Sequence, residues 1–136
     1  MTNEEMLAKA EEVARAGHAK QTRRDGVTPY IKHVESVVSR LYTIEEKIVG
    51  FLHDTIEDCD IVAEDLLKMG FDKKIVDAVV LLTKTKNYDY IDYMRNIKVN
   101  PLAKAVKIAD MRANLADTPT KNQIKRYSDG ILYLMT

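Results

Sequence analysis

Thr2 with Glu5, Thr43 with Glu46 and Thr120 with Gln123 share one spacing, a hydroxyl residue three positions ahead of a carboxyl or amide side chain. At a helix start two such residues satisfy each other's free backbone donors, so each pair predicts a helix beginning. Apolar residues then recur at helical spacing: Ile31, Val34, Val37, Val38 and Leu41 form one face, and Ile44, Ile48, Val49 and Leu52 the next. Asp72 opens a further helix through Val76, Val79, Val80 and Leu82, while Gly70 closes the segment before it. Tyr90, Ile91, Met94 and Ile97 carry the pattern on, followed by Leu102 to Ala109 and a last helix from Lys121. Pro29 and Pro101 suit a first helical turn, where the N–H that proline lacks would be unpaired anyway, and Asn100 fits as the cap before Pro101. Alternating runs joined by Asn-Gly or Asp-Gly hairpin turns are absent, so the sequence predicts an all-α fold.

The 136 residues suffice for one domain and are too few for two of ordinary size, so residues 1–136 are expected to form a single helical bundle. With 46% hydrophobic and 31% charged residues the chain has a globular composition. At this length it should bury roughly two-thirds of its extended surface without a disulfide or metal staple. Twenty-one basic residues balance twenty-one acidic ones, which removes the global charge footprint of a nucleic-acid or anionic-membrane binder. Cys59 is the only cysteine, so no intrachain disulfide forms and the cytoplasm is the expected compartment. Glu4 and Glu5 stand where a signal peptide carries positive charge, and the longest apolar run, Ala78 to Leu82, is far too short to cross a bilayer.

The segment Phe51-Leu52-His53-Asp54-Thr55-Ile56-Glu57-Asp58 carries the chemistry. His53 and Asp54 end an apolar helix where another Leu or Val would be the ordinary choice. With continued helical geometry Glu57 and Asp58 follow them at i, i+4, crowding an imidazole and three carboxylates together. A divalent cation resolves such crowding; the bland alternative is a solvated acidic helix end. His33 follows Pro29 on the next helix back, and Asp110 ends the apolar run Ala105 to Ala109. Each has its own ordinary reading, His33 as a core histidine and Asp110 as the N-cap of a short helix from Met111 to Asp117. Together, His33, His53, Asp54 and Asp110 make a nitrogen and oxygen ligand set drawn from three helices, of the kind that binds Mn, Fe, Co, Ni or Zn. The stretch from His18 to Gly26 is an irregular basic loop. His18 is expected to be a loop or pocket-wall residue rather than a ligand.

The pattern H…HD…D resembles the HD superfamily of metal-dependent phosphohydrolases. Four blocks sharpen the likeness: Gln21 to Gly26, Pro29-Tyr30-Ile31-Lys32-His33, His53 to Asp58, and Val106 to Asp110 with Asn114. In this order, over residues 8–117, they resemble the hydrolase domain of RelA/SpoT homologues, including the small alarmone hydrolases. The resemblance implies a compact HD-domain bundle with a metal site between helices, holding manganese on His33, His53, Asp54 and Asp110. It assigns the attacking water and its proton to Glu57 and Asp58, and substrate contacts to Arg23, Arg24, Asn114 and, at a loosely aligned position, Tyr127. The connection from Thr83 to Pro101, with Tyr88, Tyr90, Tyr93 and Arg95, departs from the family pattern.

The implied reaction removes the 3′-pyrophosphate of guanosine tetra- or pentaphosphate, with a small nucleotide as the expected substrate and neither nucleic acid nor membrane as a partner. An HD-type 5′-nucleotidase, or another nucleotide phosphohydrolase on the same centre, is the alternative enzyme. A degenerate HD domain that senses a nucleotide is the non-enzymatic alternative, though all four ligands and the Glu57-Asp58 pair are retained.

Overall fold

Each of the three threonine signatures caps a helix in the computed structural model, which describes residues 1–136. The nine helices are α1 (Asn3–Gly17), α2 (Ile31–Val38), α3 (Ile44–Leu52), α4 (Thr55–Asp58), α5 (Ala63–Lys68), α6 (Lys73–Leu82), α7 (Tyr90–Lys98), α8 (Pro101–Leu115) and α9 (Lys121–Met135). Asn100 caps α8 through a bond from the Ala103 N–H, and Gly70 lies just past α5. Asp72 precedes α6 in extended backbone, but its carboxylate makes no capping bond. No helix is long and apolar enough to cross a membrane.

Two elements differ from the sequence reading. Asp110 is not an N-cap: α8 runs unbroken from Pro101 to Leu115, because no proline or glycine interrupts it and Ala103, Val106, Ala109, Met111 and Ala113 stay on its buried side. Pro29 lies two residues ahead of α2, bridged to Thr22 in the only β-type pairing of the chain. Between them Asp25-Gly26 does form a turn. Asp25 Oδ1 accepts from the Val27 and Thr28 N–H groups at 2.9 Å each, and Gly26 takes a φ of 70° that a side chain would strain. One bridge is too short to seed a sheet, but it holds the basic loop in a defined hairpin.

The core explains why α3 is the hub. Ile48, Val49, Phe51 and Leu52 are all buried, and α3 packs against α1, α2, α6 and α8. A helix apolar on most sides needs neighbours all round it. Gly50 permits the closest approach: a Cβ there would stand 2.6 Å from Leu41 Cδ1 and 3.2 Å from Val38 Cγ2, so only glycine lets α3 lie this near the end of α2. The 27 buried apolar side chains form one contiguous cluster. At about 1.5–3 kcal/mol for each large side chain buried, this cluster fixes where α2, α3 and α8 meet. Their polar residues meet along the same line.

Candidate metal centre and substrate pocket

His33 is on the buried side of α2 with Val34 and Val37, His53 directly follows α3, Asp54 occupies the turn into α4, and Asp110 is two-thirds of the way along α8. Packing of the three helices brings all four together. Ligand atoms of His33, His53 and Asp54 lie within 4.8 Å of one another. Asp110 Oδ1 is 2.7 Å from His33 Nε2 and 3.6 Å from His53 Nε2, and Asp54 Oδ2 is 3.0 Å from His53 Nε2.

The local bonds prepare this set for a cation. His53 Nδ1 is 2.6 Å from the Gly50 carbonyl, which can only accept, so Nδ1 carries a proton and Nε2 is the nitrogen turned toward the carboxylates. That Nε2 is buried and has no hydrogen-bond partner. A buried imidazole nitrogen aimed at two carboxylates is costly unless something binds there. Charge points the same way. Asp25, Asp54, Glu57, Asp58, Asp110 and Asp117 line the surrounding cavity against only Arg23, Arg24, Lys84 and Lys107, an excess of two negative charges that a divalent cation balances. The residues fit a divalent metal held by His33, His53, Asp54 and Asp110.

Without a cation these groups lean on one another. Burial opposes ionisation of Asp54, yet His53 outweighs it and holds the carboxyl down at about 2. Asp110 also resists its burial, kept well below the usual carboxylate range by Lys107 and the two histidines. Burial pushes His53 down, but Asp54 and Asp110 raise it well above an ordinary imidazole. Farther out, burial and the charges of Asp54 and Glu57 push the Asp58 carboxyl up.

The centre opens into a cavity of about 470 Å³. Arg23, Arg24, Glu57, Asp58, Asn114 and Tyr127, all singled out by the sequence, line it. Arg23 reaches across to α8, 3.3 Å from Asn114 Oδ1 and 3.4 Å from Asp117 Oδ2, and its guanidinium lies 5.8 Å from the Tyr30 ring. Glu57 Oε1 accepts the Lys84 N–H at 2.6 Å, tying α4 to the loop after α6.

Tyr30, Lys107 and Lys84 also line the cavity and were not assigned a role from sequence. The Tyr30 hydroxyl donates to Asp54 Oδ2 at 2.5 Å and so orients that carboxylate. Burial, then the Asp54 charge, raises the Tyr30 pKa, so it remains a donor. Its position three residues before His33, on the same side of the chain, was the available signal. Lys107 is 8% exposed and lies 3.4 Å from Asp110 Oδ2; its signal was the i, i+3 relation to Asp110. Lys84 had no local signal. His18 lies in the turn just after α1 but is not a wall of this cavity: it is 1% exposed and sits behind Tyr30 with its Nδ1 2.6 Å from Gln21 Oε1.

No protein-family model matches the chain. The chain is 40% identical over 91 residues, 62% of its length, to a guanosine-3′,5′-bis(diphosphate) 3′-pyrophosphohydrolase of Vibrio cholerae serotype O1. It spans about an eighth of that relative, 13% of its length. Among solved structures it resembles a metazoan ortholog of SpoT described as hydrolyzing ppGpp and playing a role in starvation responses, with a TM-score of 0.77 and 24% identity. The match covers 95% of this chain and 84% of the other. The two chains therefore share a fold, an all-α bundle of the kind the sequence predicts.

Proposed function

We propose that this chain is a metal-dependent phosphohydrolase that removes the 3′-pyrophosphate from guanosine tetra- or pentaphosphate. The observation that carries this reading is the convergence of His33, His53, Asp54 and Asp110 at the base of a polar, arginine-bearing cavity. The 40% identity to a bacterial 3′-pyrophosphohydrolase supports the choice of substrate.

Manganese is the proposed ion, and a bound divalent metal would supply a water acidic enough to attack at neutral pH and would polarise the phosphoryl oxygens. The chain's own groups do the rest. Tyr30 fixes the Asp54 carboxylate, and the Gly50 carbonyl fixes the His53 tautomer, so the ligands are oriented before substrate arrives. Glu57 commits Oε1 to the Lys84 N–H, which leaves Oε2 and the Asp58 carboxylate to position the attacking water and take its proton. Arg23 and Arg24 supply planar cations that can pair with phosphate or stack on a base, tasks an ammonium performs poorly. Asn114 and Tyr127 offer an amide and a phenol to the nucleoside. A cytoplasmic location is consistent with this substrate and with the single cysteine.

Product analysis by phosphorus NMR, with purified protein and a panel of divalent metals, tests the reading. Pyrophosphate with GDP or GTP is expected, fastest with manganese. Inorganic phosphate from nucleoside monophosphates, with the tetraphosphate left intact, would establish the nucleotidase instead. Nucleotide binding with no turnover under any metal would establish a sensor.

A further inference from the structure

The cavity is polarised along α8. Lys107, Asp110 and Asn114 fall on one face at i, i+3 and i+7, and at 1.5 Å per residue they span about 10 Å of helix axis. Asp110 marks the metal centre between the two ends. Beyond Asn114 the lining groups are Asp117, held by Arg23, and the neutral hydrogen-bonding Thr118, Thr120, Gln123 and Tyr127, together with the arginine loop. At the Lys107 end they are different in kind: Lys84 and Lys107 stand over Leu82 and Tyr93, with no amide or small hydroxyl among them. One end suits a nucleoside. The other suits a group that is nothing but charge.

The lysine end is built rather than incidental. Lys84 Nζ lies 5.9 Å from the Tyr88 ring, Tyr88 meets Tyr93 edge to face at 5.3 Å, and Lys107 Nζ lies 5.3 Å from the Tyr93 ring. The Tyr93 hydroxyl is fixed by donating to the Leu82 carbonyl at 2.8 Å, and the backbone of Lys84 is fixed by Glu57. Asn87 takes a φ of 63°, a left-handed turn that asparagine tolerates, between Lys84 and Tyr88. Of the three ammonium donors of Lys107, one faces Asp110 and the ring of Tyr93 lies close by, so donor capacity remains toward the cavity. The Lys84 ammonium has no carboxylate partner; its only close charge contact is the Tyr88 ring. Lys84, Asn87, Tyr88 and Tyr93 lie on the loop and helix after Thr83, the segment that departs from the family pattern, whereas Lys107 is on α8.

We propose that Lys84 and Lys107 form a pyrophosphate subsite, holding the diphosphate arm of the substrate while the nucleoside lies toward Asn114 and α9. The assignment rests on the phosphohydrolase reading above and adds to it the substrate's orientation and the requirement for a diphosphate. In the reaction the water oxygen bonds to the proximal phosphorus, the bond from that phosphorus to the ribose oxygen breaks, and the proton lost by water ends on the ribose hydroxyl. Both phosphates stay together as pyrophosphate against the two lysines. A nucleoside monophosphate would leave the outer lysine, Lys84, without a partner, and so would be discriminated against.

Equilibrium dialysis of radiolabelled pyrophosphate, and separately of radiolabelled GDP, against the full chain in magnesium tests this without relying on turnover. Lys84 is exposed, so Lys84→Gln should fold. It should weaken pyrophosphate binding by about tenfold, the loss of one charge-assisted contact, and leave GDP within about twofold. Lys84→Arg should restore most of the loss, and Lys86→Gln, a charge change on the same loop outside the cavity, should alter neither ligand. Unchanged pyrophosphate affinity in Lys84→Gln, or equal weakening of both ligands, would overturn the subsite. Lys84-dependent pyrophosphate binding in a protein that leaves guanosine tetraphosphate intact would keep the subsite and remove the guanosine substrate.

Discussion

All three histidines of the chain are buried, His18 to 1% exposure, His33 to 7% and His53 to 4%, yet only two of them face carboxylates. His18 is satisfied by neutral groups. Gln21 Oε1 meets its Nδ1, Cys59 Sγ stands 3.7 Å from the same nitrogen, and Tyr30 covers its ring. His53 is left with a bare Nε2 between Asp54 and Asp110. Tyr30 separates the two environments, with its ring against His18 and His33 and its hydroxyl on Asp54. Burial alone therefore does not mark a histidine as a candidate ligand. What distinguishes the two sites is what the ring nitrogens face, neutral side chains at His18 and carboxylates at His33 and His53.

The contrast can be broken at its strongest point first. Asp54→Ala should lower manganese affinity by more than about 100-fold and abolish phosphohydrolysis together, since it removes a proposed direct ligand, a larger loss than an outer-shell substitution causes. Metal titration by calorimetry alongside the product assay reads both. Glu57→Gln keeps an oxygen for the Lys84 N–H, so metal should stay bound while kcat falls by about 100-fold. Metal loss equal to that of Asp54→Ala would instead make Glu57 a ligand. Tyr30→Phe removes one hydroxyl and leaves the ring that covers His18. Manganese affinity should fall by about tenfold, with thermal stability of the metal-free protein little changed.

The smallest effect on the metal should come from the third histidine. His18→Leu leaves Gln21 Oε1 short of its buried partner and should cost about 1–3 kcal/mol of stability. Metal affinity should stay within about twofold of the parent. Thermal denaturation together with a metal titration separates these outcomes, and a His18→Leu protein that folds normally but no longer binds metal would erase the difference between His18 and the other two histidines.

Much of the site was legible because its residues break local rules. A histidine and an aspartate at the end of the apolar α3, and an aspartate within the apolar α8, are unexpected on helices that bury their other side chains. Asp110 was visible as an anomaly with two readings, ligand or cap, and only the structure removed the cap, because an acid after an apolar run looks the same in sequence whether the helix stops or continues. Lys107 and Tyr30 each stood one turn from a flagged residue and could have been read from that spacing. Lys84 could not. Its role depends on Glu57 gripping its backbone and on two tyrosines from other turns of the chain.

The sequence by itself determined the helical class, the three threonine caps and the apolar faces, and it singled out the four polar residues that the fold brings together. These follow from spacing within a few residues, where backbone geometry converts sequence distance directly into position. Only the tertiary structure decided that Asp110 is 2.7 Å from His33, that His53 keeps a bare nitrogen while His18 does not, and that the cavity has an arginine end and a lysine end. Those relations join residues far apart along the chain. They are set by how closely α2, α3 and α8 pack, down to the missing Cβ of Gly50 against Leu41 and Val38, and no periodicity in the sequence encodes a distance between separate helices.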